Sequence, residues 1–283
     1  MDFKKKDPMI DIIRLQKEER NAMDIIFFLI SFVASLIGAI CGIGGGVIIK
    51  PTLDAFHILS VATISFLSGI TVLSMSCYSV VKAKLSKESS VDMKLGTLLA
   101  VGAVVGGILG KWCFELISGL FTDKDLVGAV QATCLLFLTI GTIIYTLKKN
   151  NIRTKHTTNA LLCIVIGFAL GILSSFLSIG GGPINLVILY FFFSMTTKEA
   201  AQYSLFIIMF SQLSSLIQTL ITGNVPPFEP VLLILMILGG ILGAIVGRKI
   251  NKNIEEKTVE KLFIGIMVVI ILINVYNIYQ FAL

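Results

Sequence analysis

Two glycine clusters are the residues most capable of chemistry: Gly42-Ile43-Gly44-Gly45-Gly46 and Ile179-Gly180-Gly181-Gly182-Pro183. A glycine inside a helix costs roughly 1 kcal/mol relative to alanine, so three in a row predict a break rather than a continuation. A helix that restarts after such a break exposes N–H groups carrying about half a positive charge, and glycine lets a ligand approach the backbone. Gly44, Gly45, Gly46, Gly180, Gly181 and Gly182 are therefore candidate contacts for an anion. Pro183 suits the first turn of the second restarted helix, where its missing N–H costs nothing. Close packing of helices through small residues is the competing reading. Neither cluster is a nucleotide loop. Val47 stands where a dinucleotide fingerprint needs its third glycine, and no Gly-Lys-Ser/Thr follows.

Polar groups flank both breaks. Lys50, Asp54 and His57 fall on one face of the short segment after the first break. An ionisable residue in a membrane segment is a functional candidate by default. Lys50 is the candidate for an anionic substrate, and Asp54 and His57 are candidates for proton or ion coupling. A Lys50–Asp54 pair at the membrane surface is the alternative. The matching positions after the second break are Leu186, Tyr190 and Phe193, so any charge role belongs to the first half. Ser204, Ser211, Ser215 and Gln218 form a stripe on one helix, with Ser65 on the matching helix and Asn185 and Gln202 near the second break. They read as lining for a substrate path or as interhelical hydrogen bonds. Lys111 and Glu115, one helical turn apart, read as interfacial charges.

The elements that position these groups must be membrane helices. Of the 283 residues 55% are apolar and 14% charged, and mean hydropathy is +0.93. A soluble domain carries roughly 25% charge, which argues against a soluble enzyme, a disordered chain or a nucleic-acid binder. Lipid admits only segments that satisfy their own backbone, so long apolar runs predict helices. The runs are 24–41, 46–59, 61–81, 95–119, 126–147, 159–179, 182–195, 200–222, 230–247 and 258–281. A crossing needs about 20 apolar residues, and 46–59 and 182–195 are too short. Five cysteines with no CxxC and two distant histidines suggest neither a metal nor another cofactor.

The chain also repeats itself. The first glycine cluster recurs at Ile179–Gly182, Gly106-Gly107-Ile108-Leu109-Gly110 matches Gly239-Gly240-Ile241-Leu242-Gly243, and Ala62–Ser65 sits opposite Ala201–Ser204. The expected fold is an all-α polytopic membrane protein in two homologous halves. Each half has four to five transmembrane or re-entrant helices, one of them glycine-interrupted. The halves are 24–148 and 159–283, joined by a linker over 149–158 and preceded by an amphipathic segment over 1–23. That segment is expected to form a short helix on the cytoplasmic surface. The N-terminal lysines and arginines, the 82–94 loop and the 148–155 linker all carry the charge expected of cytoplasmic segments. The sequence leaves both a parallel and an inverted repeat open. Paired glycine-interrupted helices are the usual pointer to a transporter's binding site.

Taken together, Gly42 to Leu53, the Ala62-Thr63-Ile64-Ser65 segment and the same order repeated from Ile179 resemble the TauE/SafE sulfite exporter family of permeases over almost the whole chain. Lys50 departs from the family's apolar residue before the proline. The second half has Val187 where the first has Pro51. The resemblance implies a secondary transporter in the cell membrane for a small anion such as sulfite or an organosulfonate. Its partners would be the lipid bilayer, a coupling proton or sodium ion, and a second copy of the chain if it forms a homo-oligomer. An anion channel and an intramembrane enzyme are the alternatives, although no HExxH, GxSxG or pair of mid-span aspartates is present.

Overall fold

A computed structural model describes the backbone of residues 8–121 and 125–282, and side chains within 20–121, 125–149 and 151–281. Lys4, Lys5, Lys6, Asp123 and Lys124 lie outside these ranges. The described residues form α1 (Pro8–Cys41), α2 (Gly46–Asp54), α3 (Val61–Leu85), α4 (Met93–Leu120), α5 (Asp125–Lys148), α6 (Ala160–Leu177), α7 (Gly182–Phe193), α8 (Thr197–Thr222), α9 (Pro230–Asn253) and α10 (Glu256–Ala282). Eight are long and apolar enough to cross a membrane, and α2 and α7 are the short ones. The chain is an all-helical membrane protein. Caps set several starts: Ser60 accepts from Thr63 N–H, Asn159 from Leu161 and Leu162, and Thr196 with Glu199 closes a capping box.

The expected separate surface helix before residue 24 is not found among the described residues. One helix runs unbroken from Pro8 to Cys41. No glycine or proline interrupts that stretch until Gly38, so nothing ends the first turns before the apolar run begins.

The long helices pair across the two sequence halves. α1 lies along α9 and α4 along α6, while α3 faces α8 and α5 faces α10. Glycines permit the two closest pairings. A Cβ on Gly239 would sit 2.7 Å from the Phe28 carbonyl, and one on Gly171 2.5 Å from that of Ala103. Without a hydrophobic force between helices in lipid, such backbone approach supplies the dispersion contact that holds them.

Ion pairs mark the two ends of the bundle. Arg20 pairs with Glu229 at the start of α9, and Glu88 pairs with Arg248 and Lys252 near its end. The second end also carries Lys82, Lys84, Lys149 and Lys198 and is called the basic face; the first is the far face. Arg20 and the 82–94 loop thus lie at opposite ends of α9.

The short helices point to opposite faces. α2 starts where Gly46 meets Val72, halfway along α3, and leads to His57, whose ring packs on Phe281 at the far face. α7 starts at the same depth and ends at the basic face, where Phe191 and Phe192 carbonyls accept from Lys155 and Thr157 of the linker.

Candidate functional site

The two breaks cross at the centre of the bundle. A Cβ on Gly46 would lie 2.7 Å from the Ile179 carbonyl, and one on Gly182 3.2 Å from Val47 Cγ2. Gly180, Gly181 and Gly182 take φ of 81°, 76° and 47°, a left-handed run that only glycine tolerates in sequence. The chain can therefore reverse within the break and begin α7 beside α2. Gly45 N–H reaches the Met75 thioether at 3.2 Å. Thioether sulfur is a weak acceptor, which an anion's oxygen could replace.

The crossing rests on a small apolar floor. Val72 and Met75 of α3 and Leu205 and Ile208 of α8 pack with Ala39 and Ala244. Gly44 and Gly180 back directly onto Val72 and Ile208. On the basic side of this floor opens a vestibule of about 580 Å³, between α3 and α8, bordered deep down by Leu205, Phe206, Met209 and Phe210. Its mouth carries Lys84, Glu88, Lys198, Arg248 and Lys252, with Gln202 beside them. Gln202 accepts from Ser90 N–H at 2.8 Å and ties the 86–92 loop to α8. Hydrogen bonds from Lys252 and Arg248 hold the Glu88 carboxyl below the usual carboxylate range.

On the far side of the floor lie two small polar pockets. One of about 10 Å³ is lined by Lys50, Asp54, Gln131 and Asn274. Lys50 Nζ meets Asp54 Oδ2 at 2.7 Å, and the two residues are 3% and 5% exposed. Pro51 O accepts from Asn277, and Gln131 donates to Phe176 O. The other, of about 20 Å³, is lined by Ser65, Ser178, Gln212, Ser215 and Thr219 around Lys111.

The sequence-derived candidates therefore separate into groups. The six break glycines come together at the crossing, and Lys50 and Asp54 come together beside it. His57 follows them in a left-handed turn after α2; its ring is exposed and its backbone N–H donates to the Asp54 carbonyl at 3.1 Å. Asn185 and Ser204 pair at 3.3 Å next to Gly181, and Ser211 pairs with Ser174 at 2.7 Å. Those hydroxyls lie in helix contacts. Ser215 and Ser65 both line the Lys111 pocket, Gln202 stands at the vestibule mouth, and Gln218 is half-buried beyond them. Lys111 is a correction. Expected at the interface, it is 9% exposed, with Glu115 Oε1 at 3.7 Å. The sequence signal for burial is its position inside the apolar run 95–119, turns away from either flanking loop. Gln212 donates to Ser174 O at 3.0 Å and is not among the sequence candidates, because a stripe drawn through serines passes over it.

A family model described as sulfite exporter TauE/SafE matches residues 27–273. The probable membrane transporter protein YunE of Bacillus subtilis (strain 168) is 26% identical over 220 residues, covering 71% of this chain and 80% of that protein. No solved structure matches.

Proposed function

Because the chain belongs to the TauE/SafE sulfite exporter family, we propose that it carries a small oxyanion, sulfite or a short organosulfonate, by alternating access along the seam between α3 and α8. It is a membrane transporter of that family. The observation that carries the reading is the position of the crossed breaks against the thin apolar floor between the wide vestibule and the narrow far-side pockets. Discontinuous helices at the middle of a bundle present backbone amides to an anion without a formal charge to desolvate. Sulfite and sulfonate oxygens suit such donors. The Gly45 amide is bound by sulfur alone and is the first one free to exchange.

Reciprocal pairing of α1 with α9 and α4 with α6, and the opposed directions of α2 and α7, favour an inverted duplication. The basic face is assigned to the cytoplasm on its Lys and Arg content, which places the start of α1 on the outer side. The open vestibule is then inward-facing. Asp54, paired with Lys50, is the candidate to take up a coupling proton or sodium ion.

The test is counterflow of radiolabelled sulfite in proteoliposomes. A carrier accumulates label against unlabelled sulfite inside, whereas a channel does not. Gly45→Leu and Gly181→Leu, each monodisperse in detergent, are expected to stop flux. Normal flux in both would remove the crossing as the site.

A further inference from the structure

We propose that the Lys111 pocket on the far side of the floor is a second anion station, which selects for negative charge before the ligand reaches the crossing. It rests on the transport reading for its place on a route, but its preference for anions is testable without transport.

Lys111 sits in the body of α4, where an ammonium is costly to bury unless a partner compensates it. Its partner Glu115 stands at 3.7 Å. A charge-assisted hydrogen bond is far shorter, roughly 2.7–2.9 Å. Lys50, by contrast, is matched to Asp54 at 2.7 Å. Lys111, with Glu115 at 3.7 Å and the Phe114 ring 5.0 Å below its ammonium, thus has no carboxylate as close as the one that Lys50 has. The remaining lining supplies donors rather than further carboxylates. Ser65 Oγ is buried with no hydrogen-bond partner, and Ser215 of α8 lines the same pocket. Gln212 and Thr219 are already committed, to Ser174 O and to Ser215 O respectively. One ammonium and two hydroxyls, brought together from three helices, match the oxygens of a compact oxyanion or sulfonate headgroup. The pocket measures about 20 Å³. That is room for little more than one water, so this is its closed form. Opening it means parting α3 from α8 on the far side, the complement of the vestibule already open on the basic side.

The experiment places Ser215→Cys in a chain whose five cysteines are serine, reconstituted in vesicles. Thiol reagents of matched size are added to the far face: anionic 2-sulfonatoethyl methanethiosulfonate and its cationic trimethylammonium counterpart. Relative to a free thiol, the anionic reagent is expected to react about tenfold faster or more, as field focusing in a low-dielectric cleft allows. Excess sulfite should slow it. Lys111→Arg keeps the preference and Lys111→Gln abolishes it in protein that remains monodisperse. Equal rates for the two reagents, a preference that survives Lys111→Gln, or no labelling from the far face would each overturn the proposal. Adding Gly45→Leu separates the two readings. A preference retained with flux unaffected would sink the central site and leave this one standing.

Discussion

Replacing Lys50 with methionine would leave the Asp54 carboxyl buried without its counter-charge. Asp54 Oδ2 meets Lys50 Nζ at 2.7 Å, and Oδ1 has no partner at all. The neighbouring amides are engaged elsewhere: Gln131 donates to Phe176 O, Asn277 to Pro51 O and Asn274 to Ile270 O. None of these three amides donates to Asp54. Removing one partner of a buried pair costs about 3–5 kcal/mol, whereas replacing both by apolar groups of similar volume is close to neutral. At roughly 2–4 °C per kcal/mol for chains of about 150–250 residues, the single variant should unfold on the order of 10 °C lower. Lys50→Met with Asp54→Leu should recover most of that loss. Thermal unfolding of the detergent-purified protein measures both. If the double variant is as unstable as the single one, or the single one is unchanged, the pair is not an isolated buried unit. The recovered double variant also tests coupling. It is expected to lose gradient-driven sulfite accumulation while keeping exchange, and intact accumulation would remove Asp54 from the coupling step.

Other perturbations address the remaining elements. At Gly46 an added methyl group would lie 2.7 Å from a backbone carbonyl, whereas Gly141 has open space around it. Gly46→Ala should therefore cost about 1–3 kcal/mol of thermal stability, and Gly141→Ala should be neutral or gain up to about 1 kcal/mol; equal shifts would contradict the tight crossing. The Glu88 carboxyl is held low by Lys252 and Arg248, so its contribution is complete above its ordinary value of 4.5 and is lost as pH falls below it. Exchange protection at Ser90 N–H, corrected for intrinsic rate, should therefore drop on acidification and be low at all pH in Glu88→Gln; a pH-independent profile in the unmodified chain would refute the clamp. Single cysteines at Glu88 and Thr157 should react with an impermeant reagent only from the cytoplasmic side, and one at Glu229 only from outside. Labelling of all three from one side would exclude the inverted arrangement.

Much of the helix layout is legible in the sequence because lipid leaves so few options. Each apolar run becomes one helix, with ends displaced by a few residues except at α1, which extends back to Pro8, since burial length and backbone satisfaction are both one-dimensional properties. The breaks are legible for a similar reason: Gly180 to Gly182 cannot continue a helix cheaply. Direction after a break is not. Hydropathy reads the same whether residues 46–54 carry on or turn back. What turns them back is the packing of Gly46 on Ile179 and Val72, contacts made from distant parts of the chain. The serine stripe on α8 also looks uniform in one dimension. In space α6 takes Ser211, α7 takes Ser204 and the Lys111 pocket takes Ser215, so three neighbours divide one face.

The buried charges do not follow the proposed two-fold scheme, and that departure bears on mechanism. Lys50 has Leu186 at its counterpart after the second break, and Lys111 has Ala244 at the position that the glycine match assigns. Both lysines lie on the far side of the crossing. The basic side carries its charges at the vestibule mouth, where water can solvate them, and in the half-buried Lys149–Glu260 pair. An anion moving between the faces would therefore meet exposed, screened cations at one end and desolvated ones at the other. A symmetric scaffold can supply two equivalent conformations, but it gives no preference between them. Placing the costly buried ammoniums on one side alone supplies that difference. On the proposed route, pairing of Asp54 with Lys50 would favour the far-side-closed form, and an anion beside Lys111 would favour the far-side-open form. Under that proposal substrate and coupling ion would act on opposite states through two different lysines, and neither would need to displace the other from a shared site.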